Sequence, residues 1–226
     1  MKKYLPILKD CPFFQKITED KILSILHCVD ARLISRQRGE YVLRFGDNTS
    51  EMGLVLTGSV LVIQEDVWGH RNIMSKIGPG DFFAEPYAAI PGSILNISVA
   101  ASKNCEILML NIHRLLTVCP TVCEHHNQLI RNLVFVLAKK VMQFNEKITH
   151  MSKRSTREKL LSYLSSEALR QGKRSFDIPY DRQQLADYLC VERAAMSTEL
   201  SKLQKDGLLT TNRNHFELIS TSTFDV

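Results

Sequence analysis

Two cysteines and one histidine have the residue types and the spacing that redox or metal chemistry requires: Cys119, Cys123 and His126. Spacings of four and three place all three side chains on one face of a helix. A helix N-terminus lowers the pKa of a thiol and makes the thiol more reactive. Three ligands do not complete a tetrahedral metal site, so a metal would need a further ligand or a second subunit. The three residues predict a redox switch or a metal or cluster site; the alternative is that both cysteines are small, buried apolar residues.

Residues 181–203 contain two short segments with apolar residues at helical spacing. These residues are Leu185, Ala186 and Leu189 in the first segment and Met196, Leu200 and Leu203 in the second. Ala186 is small enough to let two helices cross closely. The pattern predicts a helix-turn-helix, whose second helix normally lies in the major groove of DNA. Any helical hairpin can carry the same pattern, so the motif alone is a hypothesis.

The residues after the second segment predict a small β-hairpin. Gly207 suits the end of the helix. Residues 209–211 and 215–218 can pair as strands across a polar turn at 212–214. A helix-turn-helix followed by a hairpin is a winged helix. We expect this domain at residues 152–226, with Ser155 capping its first helix.

The part of the chain before these motifs is rich in predicted strands. Short apolar runs between residues 31 and 110 are separated by glycines. The stretch 64–72, which contains Trp68, predicts a hairpin turn, and residues 97–101 and 106–110 predict two separate strands. Short, evenly spaced strands with glycine turns are typical of a β-barrel or jelly roll. We expect this domain at residues 1–118.

Residues 119–151 predict one long helix with two apolar faces. The first face is a coiled-coil-like seam of Ile130, Leu133, Leu137, Val141, Phe144, Ile148 and Met151. The second face consists of Leu129, Val134 and Val136 and suits packing against the β domain. The simplest partner for the seam is the same helix of a second copy, so the sequence predicts a two-fold homodimer.

Composition argues against a membrane protein and gives weak support for nucleic-acid binding. The chain has 226 residues and a net charge of +5. It lacks the run of about 18 apolar residues that a membrane span needs, and its first residues lack the apolar core of a signal peptide. We therefore expect a cytoplasmic protein with no membrane partner. Basic clusters lie in the C-terminal half, as a nucleic-acid partner would require.

The order of these parts resembles the cAMP receptor protein and FNR (CRP/FNR) superfamily of bacterial transcription regulators. The matching segments are Leu-Arg-Phe-Gly-Asp at 43–47, Gly-Leu-Val-Leu-Thr-Gly-Ser-Val at 53–60, Ile-Gly-Pro-Gly-Asp-Phe-Phe at 77–83, Thr-Arg-Glu-Lys-Leu-Leu-Ser-Tyr-Leu at 156–164 and the helix-turn-helix. The resemblance implies an α+β protein with an N-terminal double-stranded β-helix (jelly-roll) sensor domain, a dimerisation helix and a C-terminal winged helix-turn-helix. It also implies a regulator without enzymatic activity, which binds double-stranded DNA at an inverted repeat as a homodimer and contacts RNA polymerase.

The resemblance also indicates where an effector would bind. Cyclic-nucleotide-binding members hold the ribose with a Glu, which matches Glu85, and the cyclic phosphate with an Arg followed by Ser or Thr, which fall on Leu95 and Asn96. A buried phosphate needs a cation or a dense set of donors, and no Arg or Lys occurs between residues 76 and 103. Tyr87 also departs from the small apolar residues usual in the family. The cofactor and effector are therefore unknown.

Other signals and functions stay open as alternatives. A cyclic-nucleotide regulator with an unusual pocket is the first of them. FNR-like sensors use an N-terminal cysteine cluster, for which this chain has only Cys11 and Cys28. A cupin-like metalloenzyme needs several neighbouring histidines, and only His70 and His113 lie in the β region.

The family's recognition helix corresponds to residues 192–205. Its leading Arg, which reads the O6 and N7 atoms of guanine, matches Arg193. The Glu that follows in the cAMP receptor protein falls on Ala194, and the second Arg falls on Thr198, so we expect a different operator. The residues expected to face bases are Arg193, Ser197 and Thr198, and those expected to hold phosphates are Arg182, Gln183 and Lys202.

Overall fold

The computed structural model describes residues 2–66, 68–116 and 124–219, without the side chains of residues 124–126. The fold is α+β, as expected. The helices are α1 (Leu5–Asp10), α2 (Glu19–Cys28), α3 (Glu85–Ala89), α4 (Ile112–Leu116), α5 (Glu124–Met151), α6 (Thr156–Gln171), α7 (Arg182–Leu189) and α8 (Arg193–Lys205). The strands are β1 (Arg32–Arg36), β2 (Tyr41–Leu43), β3 (Glu51–Glu65), β4 (Arg71–Ile77), β5 (Phe82–Phe83), β6 (Ser98–Asn111), β7 (Ser175–Asp177), β8 (Leu209–Asn212) and β9 (His215–Leu218).

The chain divides into two compact units, Met1–Lys140 and Val141–Val226. The boundary lies inside helix α5, so residues 141–151 of this helix belong to the C-terminal unit. The three-part division expected from the sequence, at 1–118, 119–151 and 152–226, stays a prediction.

The first unit is built on an antiparallel sheet in which β6 pairs with β1, β2 and β3. Successive residues of a strand point to opposite faces, and here both faces are covered. Leu108 and Leu110 belong to a cluster shared with the N-terminal helices and α5. Ile107 and Met109 belong to the interior of the β domain, which we call the roll interior. Burial on both faces explains why this strand is a continuous apolar run rather than an alternating one.

One expected strand break is absent from the structure. Residues 97–101 and 106–110 were expected to form separate strands, but β6 runs unbroken from Ser98 to Asn111. The pairing of β3 with β6 shifts register near Gly58, so bulges keep the polar residues between the two apolar runs within the sheet. Gly58 has φ +74°, and a Cβ there would lie 2.1 Å from the carbonyl oxygen of Asn104. Only glycine fits this approach of two strands.

Some apolar residues of helix α5 lie on a different face of the helix from the one that the sequence indicated. Leu129 and Val136 pack against the N-terminal helices and the sheet, as expected. Leu133 and Leu137, which were expected in the seam, pack there too, whereas Val134 is 62% exposed. The prediction was wrong for these three residues because the two faces are neighbours on the helix and a rotation of one residue position exchanges them. Further exposed apolar residues of α5 are Phe135, Val141, Met142, Phe144 and Ile148.

The second unit is a winged helix that also contains the end of α5. Ser155 begins helix α6 with a capping box, in which Glu158 completes the reciprocal bonds. Strands β8 and β9 form the expected hairpin, and β7 pairs with β9 to complete a three-stranded sheet that the sequence did not indicate. His150, near the end of α5, is buried against α6, where its Nδ1 lies 2.8 Å from the Ser162 hydroxyl.

Candidate DNA-binding surface and roll interior

Helix α7 and the turn after it have well-defined ends. Asp181 caps α7: its carboxylate accepts a hydrogen bond from the Gln184 backbone N–H at 2.8 Å, and the Gln184 side chain accepts one from the Asp181 N–H at 3.2 Å. The helix ends at Leu189, and the next residue, Cys190, has a φ of +52° that turns the chain toward α8. The Lys159 ammonium lies 3.4 Å from the carbonyl oxygens of Leu189 and Cys190, where the negative end of the helix dipole favours a cation.

Helix α8 is buried along one side and open along the other. Met196, Leu200 and Leu203 are buried against the unit, as the spacing predicted. Ser197 and Thr198 are both exposed. Their hydroxyls donate hydrogen bonds to the backbone carbonyls four residues earlier, at 2.9 and 3.0 Å. Because the hydroxyl protons are used within the helix, the oxygens present acceptor lone pairs to the outside.

The cationic and amide side chains that are expected to contact DNA differ in their partners within the protein. Arg193 is exposed, and its side chain makes no hydrogen bond or ion pair with any described residue. Lys202 pairs with Glu199 at 2.7 Å, and Gln183 donates to Asp187 at 2.8 Å. Such exposed pairs contribute little free energy, so DNA can displace them at small cost.

Arg182 has a different environment from the other expected DNA contacts. Its Nη2 donates a hydrogen bond to the Thr211 hydroxyl at 2.6 Å, and its guanidinium carbon lies 4.9 Å from the centre of the Phe216 ring. Burial lowers the pKa of its guanidinium. The expected phosphate contact of Arg182 stays a prediction.

Leu95, the residue expected at the position of the family's phosphate-binding arginine, is fully buried in the roll interior. Its backbone bonds to Asp47 and Gly46, at 2.8 and 2.9 Å, fix the loop that carries it. The neighbouring Asn96 is exposed, and its amide oxygen accepts a hydrogen bond from the Tyr87 hydroxyl.

Glu85 is buried and has a partner from the same chain. Its Oε1 lies 2.7 Å from the Lys140 ammonium of helix α5, which also donates to the Phe82 carbonyl. Burial raises the pKa of the nearby Asp81 carboxyl, which Lys139 and Lys140 partly counteract. Lys140 was not among the residues that the sequence singled out for the pocket. The spacing of Lys140 could have placed it on the face of α5 that meets the sheet. Leu129, Leu133, Val136 and Lys140 follow one another on this face at intervals of four, three and four.

Cys119 and Cys123, and the side chain of His126, lie outside the described residues, so the redox or metal prediction stays untested. Burial raises the pKa of Cys11 to about 11, and Cys105 is also buried with a raised pKa. Within residues 2–66, 68–116 and 124–219, no three His, Cys, Asp or Glu side chains are grouped so that they could hold a metal ion. In the same ranges, no helix has the length and apolar character to cross a membrane.

Comparison with known proteins identifies two domain models. Residues 33–121 match the cyclic nucleotide-binding domain, and residues 158–222 match the Crp-like helix-turn-helix domain. The chain is 23% identical over 184 residues to the transcriptional activator protein FnrL of Cereibacter sphaeroides, covering 77% of this chain and 71% of that protein. It is 24% identical over 173 residues to the CRP-like protein Clp of Xanthomonas euvesicatoria pv. vesicatoria, covering 74% and 75%.

A solved structure shares the fold over most of the chain. The c-di-GMP responsive global regulator CLP of Xanthomonas campestris superposes with a TM-score of 0.72 at 19% identity. The match covers 90% of this chain and all of that one.

Proposed function

This chain belongs to the CRP/FNR family of DNA-binding transcription regulators, and we propose that it acts as a homodimer that binds an inverted-repeat operator and responds to a signal other than a cyclic nucleotide. We place it in the cytoplasm, with RNA polymerase as a further partner, by analogy with the family.

The open side of helix α8 is the observation that supports the DNA contacts. A free guanidinium at Arg193 suits the O6 and N7 atoms of guanine. The outward lone pairs of Ser197 and Thr198 suit the amino group of adenine or cytosine. Lys202 and Gln183 lie at exposed positions from which they can contact phosphates. Together these residues would read a short half-site. It would differ from the half-site of the cAMP receptor protein, whose recognition helix has Glu and Arg at the positions of Ala194 and Thr198.

The exposed apolar residues of α5 support the dimer. Ile130, Val134, Val141 and Ile148 follow one another at intervals of four and seven, which is a helical seam. Asn145 falls in the same row. Val134 and Ile148 are 62% and 63% exposed, so a single chain leaves this row open to water. A two-fold pairing of these helices would present two copies of α8 to half-sites about one DNA turn apart.

The roll interior supports a signal without a phosphate group. Leu95, which we align with the family's arginine, is an apolar residue of this interior, and Glu85 is paired with Lys140. A cyclic nucleotide would have to bury its phosphate among apolar side chains, which costs several kcal/mol unless a cation compensates. The Cys119–Cys123–His126 group stays our candidate for a redox or metal signal.

Selection from random-sequence duplex DNA tests the proposal. Fragments retained by the purified protein should converge on an inverted repeat whose half-sites contain a guanine, and sedimentation should show a dimer on each fragment. Recovery of sequences without two-fold symmetry, or of no enriched sequence, would contradict the proposed operator type.

A further inference from the structure

The first turn of helix α7 is joined to the wing by Arg182. The side chain lies half-buried, with its guanidinium over the ring of the fully buried Phe216 on β9. Nη2 donates to the Thr211 hydroxyl on β8 at 2.6 Å. Nη1 is enclosed by protein and has no hydrogen-bond partner in the described part of the chain. An arginine that is available to bind a phosphate would instead project its guanidinium nitrogens into solvent.

Thr211 connects three elements of the unit. Its hydroxyl receives the bond from Arg182 and donates one to the His215 carbonyl across the hairpin, at 2.9 Å. Its backbone N–H donates to the side-chain oxygen of Gln204 on α8, at 3.3 Å. Arg182 therefore reaches the recognition helix α8 and the wing through one residue.

The contacts of Arg182 with Thr211 and Phe216 make a phosphate contact by the same side chain costly. To reach DNA, Arg182 would give up the hydrogen bond to Thr211 and the cation–π contact with Phe216. Lys202 and Gln183, by contrast, are exposed and held only by neighbours on their own helices. Arg182 is therefore held by the wing, whereas Lys202 and Gln183 are free to contact DNA.

We propose that Arg182 is a positioning residue, which fixes the wing and helix α8 relative to each other through Thr211, and that it is not a phosphate ligand. The proposal rests on DNA binding through α8 as proposed above. It makes the shape of the guanidinium essential, because a lysine offers the same charge but neither the planar face for Phe216 nor the rigid fork for Thr211.

The test compares charge with geometry on an inverted-repeat duplex selected by the wild-type protein. Arg182→Lys should lower affinity on the order of tenfold, the effect of one lost charged hydrogen bond, and leave the salt dependence of binding unchanged. Thr211→Val keeps every charge and suits a strand, and it should cause the same loss of DNA affinity. The double variant with both Arg182→Lys and Thr211→Val should lose no more affinity than either single variant. Lys202→Met is the matched phosphate control, for which the salt slope should fall by about one ion per half-site, or about two for the dimer.

The outcomes separate the two roles. Full affinity of Arg182→Lys, or a salt slope for Arg182→Gln that falls as it does for Lys202→Met, would overturn the proposal. If a substitution at Arg182 unfolds the protein, Thr211→Val and its thermal melting curve decide in its place: normal affinity in a folded Thr211→Val protein also overturns it. Failure of the wild-type protein to select any duplex would instead contradict the proposed function itself.

Discussion

At the level of single residues, the charged side chains of the DNA-binding unit differ in what holds them. Arg193 projects into solvent, whereas Arg157 pairs with Asp206 at 2.6 Å and Arg182 lies over Phe216. The types and spacing of Arg182 and Arg193 allowed both to be expected on the DNA surface. Sequence cannot separate them, because the partners of Arg182 lie on strands that come about 30 residues later in the chain and meet it only after folding.

Replacing Arg193 with Ala tests the base contact. The change removes a bidentate contact to guanine and should cost about 1–3 kcal/mol per half-site, with relaxed preference at one position. Lys202→Met should weaken all duplexes alike, because a phosphate contact carries no sequence information. Competition binding with single-base operator variants measures both effects. An unchanged preferred sequence for Arg193→Ala would show that another residue reads this base.

Lys147 makes the stability of the protein depend on pH. Its side chain is 4% exposed, lies over the Tyr188 ring and faces Cys190, and burial lowers its pKa from 10.5 to about 8. Between these values the unfolded chain holds a proton that the folded chain has released, so Lys147 should make stability rise with pH from about 8 to 9. Above pH 9 the buried Cys11 thiol, whose pKa burial raises from 9.0 to about 11, acts in the opposite direction. Urea unfolding should show this rise in the wild-type protein and not in Lys147→Met. The exposed Lys153→Met is the control and should keep the wild-type rise; a rise that persists in Lys147→Met would contradict the assignment.

At the level of elements, the sequence predicted which segments are helices and strands better than it predicted which way they face. The helix-turn-helix, its buried residues and the hairpin are where the spacing placed them. Leu133 and Val134 of α5 were exchanged, because a helix with apolar residues on neighbouring faces has no pattern that says which face meets the sheet. The break in β6 was expected from polar residues that bulges keep in the sheet.

Substitution in the α5 seam tests the dimer. Val134→Glu or Ile148→Glu places a carboxylate in an apolar interface, which costs several kcal/mol unless it is paired, but leaves the folded monomer intact because both positions are open. Sedimentation should show monomers and DNA affinity should collapse. Leu169→Glu, at a residue 68% exposed on α6, is the matched control and should stay dimeric. A tight dimer of Val134→Glu would place the interface elsewhere.

The reactivity of the cysteines before α5 can be compared with that of the buried cysteines. If the Cys119–Cys123–His126 group senses redox state or metal, the purified protein should carry iron or zinc, or Cys119 should alkylate much faster than the buried Cys11 and Cys105. Mass spectrometry of labelled peptides measures the rates. Equal rates, an absence of metal and unchanged DNA binding by the Cys119→Ser, Cys123→Ser protein would leave only packing roles.

At the level of the whole molecule, the N-terminal unit keeps the family's architecture, and we expect the chemistry of its interior to differ. The order of motifs was enough to predict the architecture, whereas a pocket without a phosphate site, expected from the lack of cations between residues 76 and 103, stays a prediction. The Lys140 partner of Glu85 comes from an element more than 50 residues away, and that pairing follows from packing rather than from any local pattern.

Titration with cyclic nucleotides tests the interior directly. Calorimetry with cAMP or cGMP at millimolar concentration should give no saturable heat, because Leu95 offers the phosphate neither charge nor hydrogen bonds. The same preparation should bind its selected duplex equally well with and without the nucleotide. Saturable binding at micromolar concentration would show that another cation serves the phosphate.

Asn145, in the row of Val141 and Ile148, bears on which subunits could associate if related regulators were made in the same cell. A polar amide in such a seam costs stability, but it is satisfied when it faces its own copy in register. Opposite an aliphatic residue of a paralogue it would be buried without a partner, which penalises the mixed pair. We therefore expect Asn145 to disfavour such heterodimers, so that each operator is read by two identical helices.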